Sequence, residues 1–280
     1  MPKTSGGPVS LLTDFGLEDA YTGVMKGVIL SINPAAKIVD ITHCVKPQDI
    51  AGAQFILKNA VKYFPEGAVH VAVVDPGVGS GRRAIIVRAG GSHFVGPDNG
   101  IFTAFFPGAE KIVSMENEKF MLRSGKSSAA GFGGGTFDAR DVFAPAAAWI
   151  SRGEKMEKFG PWIKDPVKLP LPEPLVRGGR ISGQVLHVDW FGNCITNIDA
   201  ERLRKLWKQG SRIRVEVKGR KRAFILAGGL APFYMSAWGK RAGAKARALV
   251  NSDGFLEIFV PGGSASRTLG IGAGALVKVC

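Results

Sequence analysis

The sequence is poor in cysteine: its 280 residues include three, Cys44, Cys194 and Cys280. They are widely spaced and form no CxxC pair, which argues against a disulfide framework and a thiolate zinc site and predicts three reduced thiols. The four histidines show no HExxH or other metal-ligand spacing, so we expect no bound metal. No GxxxxGKS or GxxxxGKT motif occurs, and GVGSG lacks the full GxGxxG pattern, which makes a dinucleotide site improbable.

Long apolar runs are also missing. No stretch approaches the roughly 18 to 20 apolar residues that a membrane span needs. The N-terminus MPKTSGGPVSLL lacks the basic and apolar regions of a signal peptide. We therefore expect a cytoplasmic protein without a membrane partner. With 45% hydrophobic and 21% charged residues, the chain can bury a large core, as one big domain or two modest ones.

The net charge of +14 is concentrated in the C-terminal part, because residues 180–280 carry 17 Lys and Arg against 6 Asp and Glu. In RIRVEVK, Arg212, Arg214 and Lys218 alternate with Ile213, Val215 and Val217, which predicts a strand with one charged and one apolar face. The charged face is either a solvated surface or a footprint for nucleic-acid phosphates.

Apolar runs typical of strands alternate with amphipathic stretches in the first 165 residues: VSLLT, DAYTGVMKGVILSI, KIVDI, DIAGAQFILKNAVKYF and VHVAVV. This order predicts an α/β fold with a Rossmann-like, mostly parallel sheet. Ligands of such sheets bind beyond the carboxyl ends of the strands, and Asp14 and Asp75 follow two of the predicted strands. We expect both acids to face one crevice. The predicted first helix has Ala20, Val24 and Val28 at helical spacing, and DVFAPAAAWI predicts a later helix packed through its alanines.

A proline-rich segment, 166–179, predicts an interdomain linker between an N-terminal domain (1–165) and a C-terminal domain (180–280). Beyond it, short strand-like runs are punctuated by glycine, as in RISGQVLHVDWFGN and RIRVEVKG. That pattern predicts an all-β domain, a barrel or a sandwich.

Six motifs follow one another along residues 9–279: LLTDFGLEDAYTGVMKG, VVDPGVGSGRRAI, VGPDNGIF, TFDARDVFAPAAA, HVDWFGNCITNI and NSDGFLEIFVPGGSAS. Each alone is a weak signal, but all six in this order closely resemble the S-adenosyl-L-methionine (SAM) hydroxide adenosyltransferases, relatives of the fluorinases and chlorinases. The resemblance implies an N-terminal α/β domain, a C-terminal β-barrel and a homotrimer with active sites between subunits. It also implies attack of water or hydroxide on C5′ of the SAM ribose, which releases L-methionine and leaves adenosine. SAM is then the substrate, and no cofactor is expected.

The stretch VVDPGVGSGRR admits three interpretations: a phosphate cradle, a tight turn held by a surface ion pair, or joint action of Asp75 and Arg82. The resemblance favours the third, in which Asp75 and Arg82 handle the attacking water and Asp75 also contacts the substrate. A guanidinium can hold a carboxylate and favour an anionic nucleophile. Both residues match the hydrolases and not the halogenases, which argues against fluoride or chloride as nucleophile.

The chain departs from the family at the third water-handling position. The family's hydrolases have a histidine in a TFHGRD motif, whereas this chain reads TFDARD, with Asp138 in place of histidine and Ala139 in place of glycine. A carboxylate is usually an acceptor only and repels an incoming anion. Either Asp138 activates water as a base, or turnover is impaired. The preceding GFGGGTF stretch is either a disordered linker or a lid.

The resemblance also assigns binding residues. Asp14 matches the acid that takes both ribose hydroxyls, a task suited to two acceptor oxygens. Asp189 and Asn193 match contacts to the methionine amine and to adenine, and Phe191 is an apolar wall between them. Without the resemblance, such residues are equally typical of turns and core.

Three further positions come from NSDGFLEIFV. Ser252 matches a residue near the methionine carboxylate, and Glu257 and the backbone of Val260 match positions towards adenine. Asp253 stands where the fluorinase has an arginine, so recognition of the carboxylate there stays open.

Two other functions stay open. A nucleic-acid-binding protein would use the basic C-terminal barrel. Against it, Trp207, Phe224 and Trp238 are not interleaved with the charges as a stacking platform requires. A non-catalytic adenosine-binding or SAM-binding protein would account for Asp138.

Overall fold

The computed structural model describes residues 6–122, 136–208, 213–219, 223–226, 230–232, 234 and 246–280. The chain divides into two compact units, Met1–Leu169 and Pro170–Cys280. Arg212, Trp238 and the glycine-rich stretch 131–135, predicted as part of a linker or a lid, lie outside the described residues.

The first unit is built on a mixed sheet. Six strands are found among its described residues, in the order β2-β1-β3-β5-β4-β6. They are β1 (Val9–Thr13), β2 (Ile38–Thr42), β3 (Val69–Val73), β4 (Ala84–Ala89), β5 (Ser92–Pro97) and β6 (Ala109–Ser114). Strands β2, β1, β3 and β5 are parallel, and β4 is antiparallel to both of its neighbours. The predicted mostly parallel sheet is confirmed.

Helices cover both faces of this sheet: α1 (Tyr21–Ile32), α2 (Ile50–Val61) and α3 (Ala144–Ser151), which continues a π-helical turn at Ala139–Phe143. Successive strand residues point to opposite faces. Leu11 therefore joins the core under α1 and α3, whereas Leu12 joins the core under α2. Every residue of β1 and β3 is buried, so side chains at these strand ends are held by a rigid frame.

The first helix forms as predicted, but a different face packs on the sheet. Thr22, Met25 and Ile29 are its buried residues, and Val24 is 38% exposed. The spacing of Val24 and Val28 did not identify the buried face, because Met25 and Ile29 form a second apolar stripe one position further on, and that stripe is the buried one.

The second unit is antiparallel throughout its described strands. These are β7 (Leu175–Arg177), β8 (Arg180–Val188), β9 (Cys194–Asp199), β10 (Val215–Lys218), β11 (Ala223–Leu226), β12 (Arg247–Val250), β13 (Phe255–Phe259) and β14 (Leu276–Val279). They follow the order β11-β10-β14-β8-β9-β13-β12, with β7 paired to β8, and curl nearly into a barrel, as predicted. Two short helices, α4 (Ala200–Leu206) and α5 (Ala265–Leu269), accompany the strands.

The alternation predicted for RIRVEVK is present in its described part. Ile213, Val215 and Val217 are buried in the barrel core, while Arg214 and Lys218 are exposed. Among the described residues, no helix is both long and apolar enough to cross a lipid bilayer.

Candidate active site

Asp14 and Asp75 lie at the same edge of the first sheet. Strands β1 and β3 are parallel neighbours with Thr13 paired to Val73, so both chains leave the sheet side by side. Asp14 follows β1 directly, and Asp75 follows β3 after Val74. The carboxyl edge of a parallel sheet is where such folds bind ligands, so two acids there form a candidate site.

Three charged side chains meet at this edge. Nε of Arg82 donates to Oδ1 of Asp75 at 2.9 Å, and Nη2 of Arg82 donates to Oδ2 of the same carboxylate. Nη2 also lies 2.6 Å from Oδ2 of Asp138. The side chains of Asp75, Arg82 and Asp138 are 5%, 12% and 21% exposed. We name these three residues the acid–arginine cluster.

A short turn brings Arg82 back to Asp75. The backbone N–H of Val78 donates to the Asp75 carbonyl at 3.2 Å. The Ser80 hydroxyl donates to the Gly77 carbonyl at 2.6 Å and accepts from the N–H of Arg82 at 3.3 Å. Because the Arg82–Asp75 pair is largely buried, it is not a surface ion pair, and this geometry favours the interpretation of joint action.

The surroundings keep Arg82 charged. Burial on its own lowers the pKa of the guanidinium, but the bonds to Asp75 and the charge and bond of Asp138 outweigh burial and raise the pKa. The guanidinium carbon also lies 5.4 Å from the ring centroid of Phe143. Arg82 therefore supplies a fixed positive charge between two acids.

The neighbouring Arg83 belongs to another network. Its Nε donates to Oδ2 of Asp98 at 2.9 Å, and its Nη1 donates to Oδ1 of Asp165, also at 2.9 Å. Asp98 is buried and accepts a further bond from the N–H of Val167 at 2.8 Å. Arg83 thus holds the segment around Asp165 to the sheet and takes no part in the acid–arginine cluster.

Asp14 is partly fixed by the backbone. Its Oδ2 accepts from the N–H of Gln48 at 2.8 Å, and Gln48 has a positive φ of 67°, a conformation that non-glycine residues seldom adopt. The other oxygen, Oδ1, has no hydrogen bond within the described residues. Sequence reasoning missed Gln48, because nothing in the sequence marks a glutamine for a left-handed backbone.

An aromatic group connects the Asp14 loop to the Asp138 segment. The ring of Phe137 lies 5.9 Å from Phe15 and 5.2 Å from Tyr21, centroid to centroid, and Phe15 and Tyr21 are 5.8 Å apart. These edge and tilted contacts hold the residues before Asp138 against those after Asp14. Sequence reasoning did not assign a role to these three rings or to Phe143; their positions beside the motif acids were the available signal.

The second unit contains an open pocket of about 630 Å³. Its lining residues are Asp189, Trp190, Phe191, Asn193, Tyr234, Phe259, Val260, Pro261, Gly262, Gly263 and Arg267. Four of the binding residues predicted from the sequence, Asp189, Phe191, Asn193 and Val260, are therefore close together.

A tight turn shapes one wall of this pocket. Oδ1 of Asp189 accepts from the N–H of Asn193 at 2.7 Å, and Oδ2 accepts from its side-chain amide at 3.1 Å. Gly192 has a φ of +84°, and a Cβ there would clash with the Ser264 hydroxyl, so the turn requires glycine. Trp190 and Phe191 project outward and are 94% and 74% exposed.

Glu257 lies behind the pocket and is 2% exposed. The Tyr234 hydroxyl donates to its Oε1 at 2.6 Å, and the Asn251 amide donates to its Oε2 at 3.1 Å. Burial raises the pKa of Glu257 despite these two bonds. No sequence pattern singled out Tyr234, which both lines the pocket and holds Glu257.

Ser252 is a predicted binding residue that the structure does not place in the pocket. It is exposed on the turn between β12 and β13 and is not among the pocket-lining residues. Asn251 organises that turn by accepting from the N–H groups of Asp253 and Phe255 at 3.1 and 3.0 Å. Within the described parts of both units, no group of three or more His, Cys, Asp or Glu side chains is placed to hold a metal ion.

Comparison with known proteins identifies the family. A family model for the SAM hydroxide adenosyltransferase N-terminal domain matches residues 9–160, and one for the C-terminal domain of the same family matches residues 183–278. The chain belongs to the SAM hydroxide adenosyltransferase family.

Individual relatives agree with this membership. The chain is 37% identical to an (R)-S-adenosyl-L-methionine hydrolase of Thermus thermophilus, over 97% of this chain and 99% of that protein. A fluorinase of Actinoplanes sp. is 27% identical over 73% of this chain and 76% of its own length. The crystal structure of an uncharacterized conserved protein from Thermotoga maritima superposes with a TM-score of 0.85 at 34% identity, covering 97% of this chain and 99% of that one.

Among SAM hydroxide adenosyltransferases, this chain therefore stands nearer to relatives named hydrolases than to one named fluorinase. The resemblance inferred from six motifs is confirmed, as is the expectation of an enzyme of this family. The roles of the individual site residues stay predictions.

Proposed function

We propose that this chain hydrolyses SAM to adenosine and L-methionine, with the acid–arginine cluster at the reacting centre. The observation that carries the proposal is the bond from Arg82 to both Asp75 and Asp138 at the carboxyl edge of the sheet. Family membership and the relatives named SAM hydrolases support the same reaction.

The reaction is an in-line displacement at C5′ of the ribose. A water oxygen forms a bond to C5′ while the bond from C5′ to the sulfonium sulfur breaks, and the sulfur keeps the electron pair as the neutral thioether of methionine. The water gives up one proton. Because the sulfonium is already a good leaving group, the protein has to position and activate water, and no metal or cofactor is needed for that task.

Arg82 and Asp138 divide this task in our proposal. The guanidinium, which its partners keep charged, stabilises the negative charge that develops on the oxygen of the attacking water. Oδ1 of Asp138 has no hydrogen bond within the described residues, so it can accept the water's proton, while Oδ2 stays on Arg82. Asp75 fixes the guanidinium through two bonds and contacts the substrate next to it.

Our proposal for substrate binding assigns roles to residues of both units, contributed by different subunits. We propose that Asp14 takes the two ribose hydroxyls through its free Oδ1 and its Oδ2. The pocket of the second unit takes the remaining groups: Asp189 the methionine amine, and Asn193, Glu257 and Val260 the adenine, with Phe191 as wall. Ser252 remains the proposed neighbour of the methionine carboxylate.

Assembly is the next part of the proposal. We infer a homotrimer in which each active site is completed by a neighbouring subunit, as the family resemblance implies. Trp190 and Phe191 support it, because two large, strongly exposed aromatic residues beside a pocket are typical of surfaces that become covered. The cytoplasm as the place of action stays a prediction from the sequence.

A second candidate is a SAM-binding or adenosine-binding protein without turnover. The observation in its favour is that Asp138 directs a carboxylate at the same guanidinium as Asp75, so two negative charges surround the position of the water. Repulsion of hydroxide by these charges opposes catalysis.

The deciding experiment incubates the purified chain with SAM in water labelled with heavy oxygen. Hydrolysis by the proposed route gives adenosine carrying the label in its 5′-hydroxyl, together with L-methionine. The isosteric variant Asp75→Asn is the control and should form much less adenosine. Tight binding of SAM without any formation of adenosine would overturn the proposed hydrolase activity and favour the SAM-binding protein without turnover.

A further inference from the structure

The residues beneath Asp14 form a polar chain, buried at its inner end, that the proposed chemistry does not use. Thr13 ends β1, and His43 follows β2; the two side chains are 0% and 3% exposed. Thr13 Oγ1 and His43 Nδ1 are 2.9 Å apart. His43 Nε2 lies 3.2 Å from Oδ1 of Asp40, whose Oδ2 accepts from Lys26 at 2.6 Å. The chain thus runs from the surface lysine to the residue directly before Asp14.

His43 holds the Asp14 loop from both sides. Its backbone carbonyl accepts from the N–H of Gly16 at 2.8 Å, two residues after Asp14. Its imidazole contacts Thr13, one residue before Asp14. Asp14 therefore lies between two residues, Thr13 and Gly16, that both contact His43. The position of the Asp14 carboxylate consequently depends on the position of His43.

Hydrogen-bond accounting assigns the direction of these bonds. The N–H of Phe15 donates to Thr13 Oγ1 at 3.3 Å, and the Asp40 carboxylate, which only accepts, faces Nε2 of His43. With a ring proton on Nε2 towards Asp40, we assign Nδ1 as the acceptor of the Thr13 hydroxyl. In this arrangement Thr13 Oγ1 accepts from the N–H of Phe15 and donates to Nδ1 of His43. These two bonds hold the backbone on both sides of Asp14.

We propose that His43 is a positioning residue for substrate binding: through Thr13, it sets the orientation in which Asp14 presents its free oxygen to the ribose. This inference rests on the proposed function, in which Asp14 binds the ribose hydroxyls. A carboxylate that accepts hydrogen bonds from two vicinal hydroxyls needs a fixed orientation, because both bonds form in the plane of its two oxygens.

The same strand supplies a matched control. Ser10, also on β1, places its hydroxyl 2.6 Å from Nδ1 of His70, and both residues are buried. This pair has the same chemistry as Thr13 and His43, but Ser10 lies four residues before Asp14, roughly 13 Å along a strand. Loss of the Ser10 hydroxyl should affect stability without reaching the ribose.

The experiment measures the affinity for adenosine by calorimetry, together with KM and kcat for SAM. Thr13→Val and His43→Leu should each lower the affinity for adenosine by about 3- to 10-fold. Each should also raise KM for SAM more than it lowers kcat. The double variant should bind adenosine no more weakly than the more strongly affected single variant, because both changes remove the same hydrogen bond. His43→Asn, whose amide can replace Nδ1 towards Thr13, should recover most of the affinity. Ser10→Ala should leave adenosine affinity and KM unchanged.

Unchanged adenosine affinity in folded Thr13→Val and His43→Leu chains would overturn the positioning role, and so would an equal loss in Ser10→Ala. Circular dichroism verifies folding, and Thr13→Val, a near-isosteric change, serves if His43→Leu does not fold. Failure of the proposed hydrolysis looks different: adenosine binds and responds to the variants, but SAM is not consumed. If the unaltered chain does not bind adenosine, both proposals fall.

Discussion

Nη2 of Arg82 lies 2.6 Å from Oδ2 of Asp138, although the two residues are 56 positions apart in the chain. Asp138 is thus in direct contact with the arginine that also holds Asp75. An acid at position 138 is integrated into the charged cluster, which makes its replacement an informative test of the chemistry.

Asp138→His should raise the rate of adenosine formation while leaving KM nearly unchanged. Affinity comes from the ribose, adenine and methionine contacts, whereas the position of the water affects only the transition state. Positioned proton transfer is typically worth about 100- to 10,000-fold in total, and because Asp138 already supplies part of it as the proposed base, the gain should be smaller than that. Single-turnover assays of adenosine formation measure it. The control is Asp138→Asn, which keeps the size but removes the base; if it matches the unaltered chain and the histidine variant is no faster, residue 138 has no part in catalysis.

Asp14→Ala should weaken adenosine and SAM alike. If the change removes two charge-assisted bonds to the ribose, the loss is on the order of 2 to 4 kcal/mol in binding free energy. Isothermal calorimetry with both ligands measures it, and Asp14→Asn, which keeps one acceptor oxygen, should lie between. Equal affinities in all three chains would remove Asp14 from the site.

Arg82 and Arg83 should respond in opposite ways to the same change. Arg82→Gln should reduce kcat strongly, by about 100-fold or more, because a preorganised charge at the reacting centre is lost. Arg83→Gln should leave kcat close to normal but lower the free energy of unfolding by about 1 to 3 kcal/mol, since the buried Asp98 loses its ionic partner. Steady-state kinetics and urea unfolding of both variants separate the two roles; a reversed pattern would exchange their assignments.

His70 should make stability depend on pH. Burial lowers its pKa from 6.5 to about 4, so the folded chain binds its proton less readily than the unfolded chain. The stabilising contribution is therefore complete above about pH 6.5 and is lost as the pH falls towards 4. The loss is about 3 kcal/mol at most. Urea unfolding across this range should show a smaller decline for His70→Asn than for the unaltered chain; identical declines would mean that another group causes the dependence.

The assembly proposal predicts a trimer in sedimentation at concentrations where ligand binds tightly. It also predicts complementation, because Asp14 and Asp75 of one subunit are proposed to face Asn193 and Ser252 of a neighbour. Asp75→Asn and Asn193→Ala chains, each weak alone, should recover part of the activity after they are mixed and reassembled. A monomer, or no recovery in mixed assemblies, would contradict the proposed shared site.

Local sequence was enough to place Asp14 and Asp75. Both follow short apolar runs typical of buried strands, and neighbouring parallel strands present their carboxyl ends at one edge, so the pattern predicts their shared location. The sequence also predicted the change from an α/β unit with a mostly parallel sheet to an all-β unit, because glycine-punctuated strands replace amphipathic helices beyond the proline-rich segment.

The family resemblance pointed to Asp75, Arg82 and Asp138, but only the tertiary structure shows which charged side chains meet. Arg82 and Arg83 are adjacent and chemically identical in the sequence, yet one meets Asp75 and Asp138 and the other meets Asp98 and Asp165. Neighbouring side chains in an extended segment point in opposite directions, and their partners come from distant segments that packing brings near. The burial of Glu257 and the contact of His43 with Thr13 have the same origin: periodicity determines which elements form, whereas hydrogen-bond partners depend on how those elements pack.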